Sequence, residues 1–181
     1  ALPELPAARF ARYESEYGLG KKEATVLTED VHVARFFEKA LNRHSNPKLI
    51  ANWTINEVLR EAKGEEVNEL SFGPDALGEL VELIDNQTIS GKIAKEVFQA
   101  MLDTGVAPGK YVEEKGLKQV TDTSAIEAIV DEILARSEAQ VAQYKEGNTK
   151  VLGFFVGQVM KESRGKANPK IVNELLREKL K

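Results

Sequence analysis

The sequence predicts an all-α protein. Apolar residues recur at intervals of three and four along nearly its whole length, period-two alternation is almost absent, and the periodic stretches are separated by Gly, Pro and helix-capping residues. Its 181 residues suffice for one or two small domains.

Leu2-Pro3-Glu4-Leu5-Pro6 leads into a first helix over 7–17, with Phe10, Tyr13 and Tyr17 on one stripe and a stop at Gly18; residues 21–27 add a short turn. Asp30 is placed to cap a helix carrying Val33, Phe36, Phe37, Ala40 and Leu41 in register as far as Asn46-Pro47, where proline must begin something new. A helix over 47–62 follows at once, with Leu49, Ile50, Trp53, Val58 and Leu59 available for a core and Gly64 closing it. Pro74 opens a helix to Asn86 with Leu77, Leu80, Val81 and Ile84 inward, and Ser90 caps the next, over 91–103.

From Thr104 to Asp122, Gly105, Pro108, Gly109 and Gly116 interrupt the periodicity, which marks a connection holding a short helix over 110–114. The expected domains are therefore 1–114 and 115–181. In the second, Thr123 or Ser124 caps an amphipathic run through Ile126, Val130 and Ile133 to Gly147, then helices span 149–162 and 169–180, with Asn168-Pro169 as N-cap and first position.

Composition excludes several functions. With no cysteine there is no disulfide framework, thiolate metal site or Cys nucleophile, and the longest nearly uncharged stretch, Val151 to Met160, is far short of the roughly 20 apolar residues of a membrane span. A cytoplasmic protein without signal peptide or membrane contact is expected. Residues 1–147 hold 17 Lys+Arg against 26 Asp+Glu and residues 148–181 hold 8 against 3, so a net-acidic body ends in a segment of +5. That pattern suits a local polyanion site, although a solvated basic helix face has the same signature.

Catalytic machinery is not found. The sequence has no Gly-x4-Gly-Lys-Ser/Thr loop, no Gly-x-Ser-x-Gly elbow and no His-Glu-x-x-His. Its two histidines, His32 and His44, would lie about 18 Å apart on one helix, too far to share a metal. Carboxylate pairs such as Glu65-Glu66 and Glu113-Glu114 fall in polar stretches. The chain by itself is expected to have no catalytic residue and no metal or cofactor.

The segment Lys150 to Lys170 departs most from a generic helical protein. Leu152, Phe155, Val156, Val159 and Met160 form a core stripe, yet Gly153 and Gly157 each cost about 1 kcal/mol against alanine within a helix. Close approach of another backbone would offset that, either tight helix–helix packing in the protein or an RNA strand. Lys161, Arg164, Lys166 and Lys170 then surround a turn at Gly165 that opens on the N-terminus of the last helix at Asn168, with Lys150 one helix upstream, an arrangement suited to phosphate.

Four blocks carry a resemblance. Phe36-Phe37-Glu38-Lys39-Ala40 with Trp53-Thr54-Ile55-Asn56-Glu57, then Thr88 to Phe98, then Tyr111 to Lys118, and finally Lys150 to Lys170 resemble, in that order, the C-terminal half of the B subunit family of bacterial aspartyl/glutamyl-tRNA amidotransferases. The resemblance implies a helical domain followed by a small YqeY-like tail domain. It also implies an intact enzyme that converts Glu-tRNA(Gln) to Gln-tRNA(Gln), or Asp-tRNA(Asn) to Asn-tRNA(Asn), with ATP and Mg²⁺. Ammonia would come from the A subunit, and the A and C subunits would attach through an N-terminal cradle domain for whose residues this sequence has no matching positions. On this view the chain holds tRNA(Gln) or tRNA(Asn) through Lys150, Lys161, Arg164, Gly165, Lys166, Asn168 and Lys170, with Gly153 and Gly157 as close-approach positions.

Two competing expectations are a helical adaptor that docks on another protein and a free-standing YqeY-like protein. A helix-turn-helix reading of the last two helices fits the turn length, but Glu174 and Glu178 on the final helix are unpromising for a groove reader.

Overall fold

A computed structural model describes residues 4–63, 66–120 and 123–181. Leu2 and Pro3 of the leading segment, Gly64, Glu65 and Asp122 lie outside the described residues. The fold is all-α, as the periodicity predicts, and the described residues contain no strand, only an isolated parallel bridge between Val120 and Ala167. They divide into two compact units: one runs to Asn86 and adds Glu96–Glu114, and the other joins Gln87–Lys95 to Lys115–Lys181. Residues 87–95, which the sequence pattern places with the first domain, thus group with the second unit.

The first unit contains α1 (Pro6–Ser15), α2 (Lys21–Glu29), α3 (Val31–Arg43), α4 (Pro47–Trp53), α5 (Leu59–Ala62), α6 (Pro74–Asp85), most of α7 (Gly91–Thr104) and α8 (Pro108–Glu114). Local chemistry sets several of the starts. The Asp30 carboxylate accepts the His32 N–H at 2.6 Å, and the Asn46 side chain accepts that of Leu49 at 3.2 Å ahead of Pro47. Where the sequence suggests only a turn over 21–27, a nine-residue helix forms, because the Glu23 carboxylate reaches back 2.8 Å to the Gly20 N–H and Ala24 and Leu27 are buried.

The single helix expected over 47–62 is instead interrupted. Thr54–Val58 is a π-helical turn, in which the Leu59 N–H bonds to the Thr54 carbonyl. The wider turn re-phases the apolar face: Ile50 and Trp53 are spaced three apart and Val58 a further five, yet all three are buried, as is Ala62 four later. A ladder of aromatic rings runs through this core, Phe36 to Phe72 at 6.5 Å, Phe72 to Phe98 at 5.5 Å and Phe98 to Trp53 at 5.6 Å.

On α1 the inward stripe differs from the expected one. Tyr13 is fully buried, but Arg9, not Phe10, is the other buried residue of that helix. Arg9 is accommodated by carboxylates: its Nε lies 3.3 Å from Glu4 and 3.6 Å from Glu38. Arg12 bridges the same two acids at 2.6 Å each and donates to the Tyr17 hydroxyl at 2.9 Å. Burial and the neighbouring Glu38 together push the Tyr13 phenol far above its ordinary range.

The second unit is built on α9 (Thr123–Ala135), α11 (Val151–Glu162) and α12 (Pro169–Lys179). Their inward residues, Ile126, Val130, Ile133, Phe155, Val159, Val172 and Leu176, form one buried cluster that Ala167 completes. The run expected to continue from α9 to Gly147 breaks at Ser137, which leaves helical geometry at φ −124°, ψ 42°, and α10 (Glu138–Lys145) follows with no fully buried residue.

Candidate nucleic-acid interface

The second unit carries 14 Lys+Arg against 9 Asp+Glu, a net of +5, while the first carries 11 against 20. Within the second, charge is distributed in two ways. Arg136 is matched by Glu132 and Glu162, and Lys179 by Glu127 and Asp131 at 2.7 and 2.8 Å, contacts that raise the Lys179 pKa, the Asp131 hydrogen bond contributing most. By contrast, Lys161, Arg164, Lys166 and Lys170 have no carboxylate partner among the described residues. These four fall within ten residues on either side of the turn between α11 and α12.

That turn is tightly built. Arg164 and Gly165 are consecutive left-handed residues, φ 54° and 78°, so the chain reverses in two positions. Two separate stretches, around Val120 and around Ser90, fasten it and are bonded to each other. The Val120 N–H donates to the Lys166 carbonyl at 2.7 Å and the Asn168 N–H to the Val120 carbonyl at 3.2 Å. The Gln119 N–H donates at 2.6 Å to the Thr88 carbonyl. Ser90, which caps α7 by accepting the Ile93 N–H, donates its hydroxyl to the Gly165 carbonyl at 3.1 Å.

The residues expected to contact RNA therefore fall into groups. Lys161, Arg164 and Lys170 are exposed or partly so, and Lys166 is half-buried. Lys150 is exposed too, but it precedes the first turn of α11, about 16 Å of helix away from Lys161. Gly165 is buried, its N–H bonded to the Met160 carbonyl and its carbonyl to Ser90. Asn168 is buried and engaged at both ends of its amide, its Oδ1 accepting the Lys170 N–H at 2.9 Å and its Nδ2 donating to Gln87 at 3.1 Å. The α12 N-terminus thus has one donor satisfied internally, and Gly165 and Asn168 shape the turn while the cations face solvent.

Gly153 and Gly157 pack closely against none of the described residues. A Cβ at either position would meet nothing within 4 Å, and both lie on the solvent face of α11, opposite Phe155 and Val159. The tight helix–helix contact expected there occurs elsewhere, at Gly78. Between the two glycines Phe154 is 41% exposed, its ring set edge-on to Phe155 at 5.5 Å. Sequence reasoning misses Phe154, although its position off the buried stripe could have signalled it.

Among the described residues no three His, Asp or Glu side chains converge as a metal site. His32 lies near Asn68 and Glu66, while His44 meets Asp85 at 2.8 Å. Among the described residues no side-chain cluster fits the Mg²⁺ that the resemblance implies for a larger enzyme. No described helix is long and apolar enough to cross a membrane.

The GatB domain family matches residues 35–180. The B subunit of the aspartyl/glutamyl-tRNA(Asn/Gln) amidotransferase of Geotalea daltonii is 54% identical over 181 residues, 99% of this chain and 38% of that protein. The proteins of the same name from Persephonella marina and Carboxydothermus hydrogenoformans are 52% and 50% identical, over 100% and 99% of this chain and 39% and 38% of their own length. The chain thus spans under two fifths of these relatives, and with the family match extending over most of its length, it belongs to the GatB domain family.

Proposed function

We propose that this chain is the tRNA-binding, C-terminal part of an amidotransferase B subunit. The observation that carries the reading is the set of four cations, Lys161, Arg164, Lys166 and Lys170, left without carboxylate partners around a rigid turn in a unit of net +5. Such a set gains affinity for a phosphate backbone by releasing its condensed counterions. Gly153 and Gly157 fit the same reading, because their cost to α11 has no return among the described residues and their open flank admits a sugar-phosphate strand.

In this proposal the amide-forming chemistry, with its ATP and Mg²⁺, belongs to other parts of a cytoplasmic enzyme that also has A and C subunits. The substrates would be Glu-tRNA(Gln) or Asp-tRNA(Asn), as the relatives' names suggest. A second reading, an adaptor that docks on a protein, is favoured by the exposure of Phe154.

Titration of the 181-residue chain with a tRNA(Gln) transcript at several salt concentrations, beside duplex DNA, separates the two. Replacing Arg164 and Lys166 together by alanine is expected to weaken tRNA binding and flatten the salt dependence by about one log unit per lost phosphate contact. The circular dichroism spectrum should be unchanged, since neither side chain lies in the buried cluster. Unchanged affinity and slope in the double variant would favour the adaptor.

A further inference from the structure

Resting on the proposed tRNA-binding role of the turn, we infer that Lys92, at the start of α7, is a further phosphate-binding residue of the same cation cluster. Ser90 and Gly165 would act as the positioning residues that hold it there.

Lys92 is 73 positions from Gly165 in sequence, yet its Cδ lies 3.5 Å from the point where a Cβ on Gly165 would stand. Its aliphatic stem therefore runs beside the bare backbone of the turn while the residue remains exposed. No carboxylate among the described residues pairs with it, and the first turn of α7 contains no acidic side chain. The ammonium thus joins Arg164 and Lys166, the residues on either side of Gly165, as a third uncompensated charge at one place.

The segment is fixed independently of that charge. The Ser90 hydroxyl on the Gly165 carbonyl at 3.1 Å and the Asn168 amide on Gln87 at 3.1 Å tie residues 87–90 to the turn, and the Gln119 N–H on the Thr88 carbonyl at 2.6 Å ties them to the stretch that Val120 bonds to it. A lysine delivered by such a clamp binds phosphate with less entropy to lose than one on a loose loop. Gly165 then has two roles. Its φ of 78° is strained for any side chain, and its carbonyl accepts the Ser90 hydroxyl that fixes the start of α7 beside it.

The experiment measures tRNA(Gln) transcript binding by the full chain across a salt series, with Lys92→Ala, Lys92→Arg and, as a control cation elsewhere in the unit, Arg177→Ala. Lys92→Ala is expected to lose about threefold to tenfold in affinity and about one unit of salt slope at unchanged Tm, Lys92→Arg to restore both, and Arg177→Ala to leave both at the parent's values. Normal binding by Lys92→Ala, where the Arg164/Lys166 double variant binds weakly, would overturn this inference and leave the tRNA reading standing. Normal binding by both variants would overturn the two together. A fall in Tm that tracks the loss of binding in Lys92→Ala would make Lys92 a packing residue and also overturn it.

Discussion

Gly78 on α6 faces Ala40 on α3 with no room for a methyl group between them: a Cβ at position 78 would stand 2.7 Å from the Ala40 carbonyl oxygen and 2.6 Å from Cβ of Arg43. Glu82 and Asp85, one and two turns further along α6, meet Arg43 at 2.7 Å and His44 at 2.8 Å. The glycine thus sets the separation of the two helices, and the Arg43–Glu82 ion pair and the His44–Asp85 hydrogen bond extend the contact toward their ends.

Gly78→Ala is expected to destabilise the first unit, although alanine is the better helix former. The overlap is with backbone and with the Cβ of Arg43, neither of which a rotamer change relieves, so a cost of about 1–3 kcal/mol follows from overpacking. Urea denaturation followed by circular dichroism measures it; a variant as stable as the parent would show that α6 can shift freely.

Gly153→Ala and Gly157→Ala should do the opposite. Each adds a methyl to open space on a solvent-facing helix and should stabilise the second unit by about 0.5–1 kcal/mol. Thermal unfolding tests this directly, and under the proposed function the same variants bind tRNA more weakly. Loss of stability in either would return these glycines to a packing role.

The Asp85 carboxyl is held below the ordinary range, first by the Asn46 side-chain amide and then by His44. A carboxylate with a depressed folded-state pKa contributes stability above its unfolded value, about 4, and that contribution disappears as pH falls through the folded value. Asp85→Asn should therefore be less stable than the parent at pH 7, by under about 1 kcal/mol because the pair is exposed, and equal to it near pH 2. Denaturation midpoints between pH 7 and 2 report the convergence; a gap that persists at the acid end would assign the effect to shape.

The features legible in the sequence are those set by neighbours along the chain. Asp30, Ser90 and Asn168 are readable as caps because a cap acts on an N–H two or three residues away. The buried stripe of α11 and the pairing of Asn168 with Pro169 are legible for the same reason. What escapes depends on partners distant in sequence. Arg9 is inward because Glu38, 29 positions later, receives it, and the π turn exists so that Trp53 and Val58 can both reach a core built by other helices. Gly78 looks like one residue in an amphipathic pattern, while Gly153 and Gly157 look like packing positions and are not. Of the candidate site, the cations can be read from local charge, but the arrival of Lys92 beside Gly165 cannot.

The grouping of residues 87–95 with the second unit has a consequence for the order in which the chain is made. Ribosomal synthesis delivers Gln87, Thr88 and Ser90 well before their partners Asn168, Gln119 and the Gly165 carbonyl. The first unit has all its residues once Glu114 is out, whereas the second must wait for its last helix before its earliest-made segment can be fastened. A stop codon before Gly165 would therefore spare the sequence of the first unit, yet strand the hydroxyl of Ser90 and the amide of Gln87 without the bonds they were placed to make.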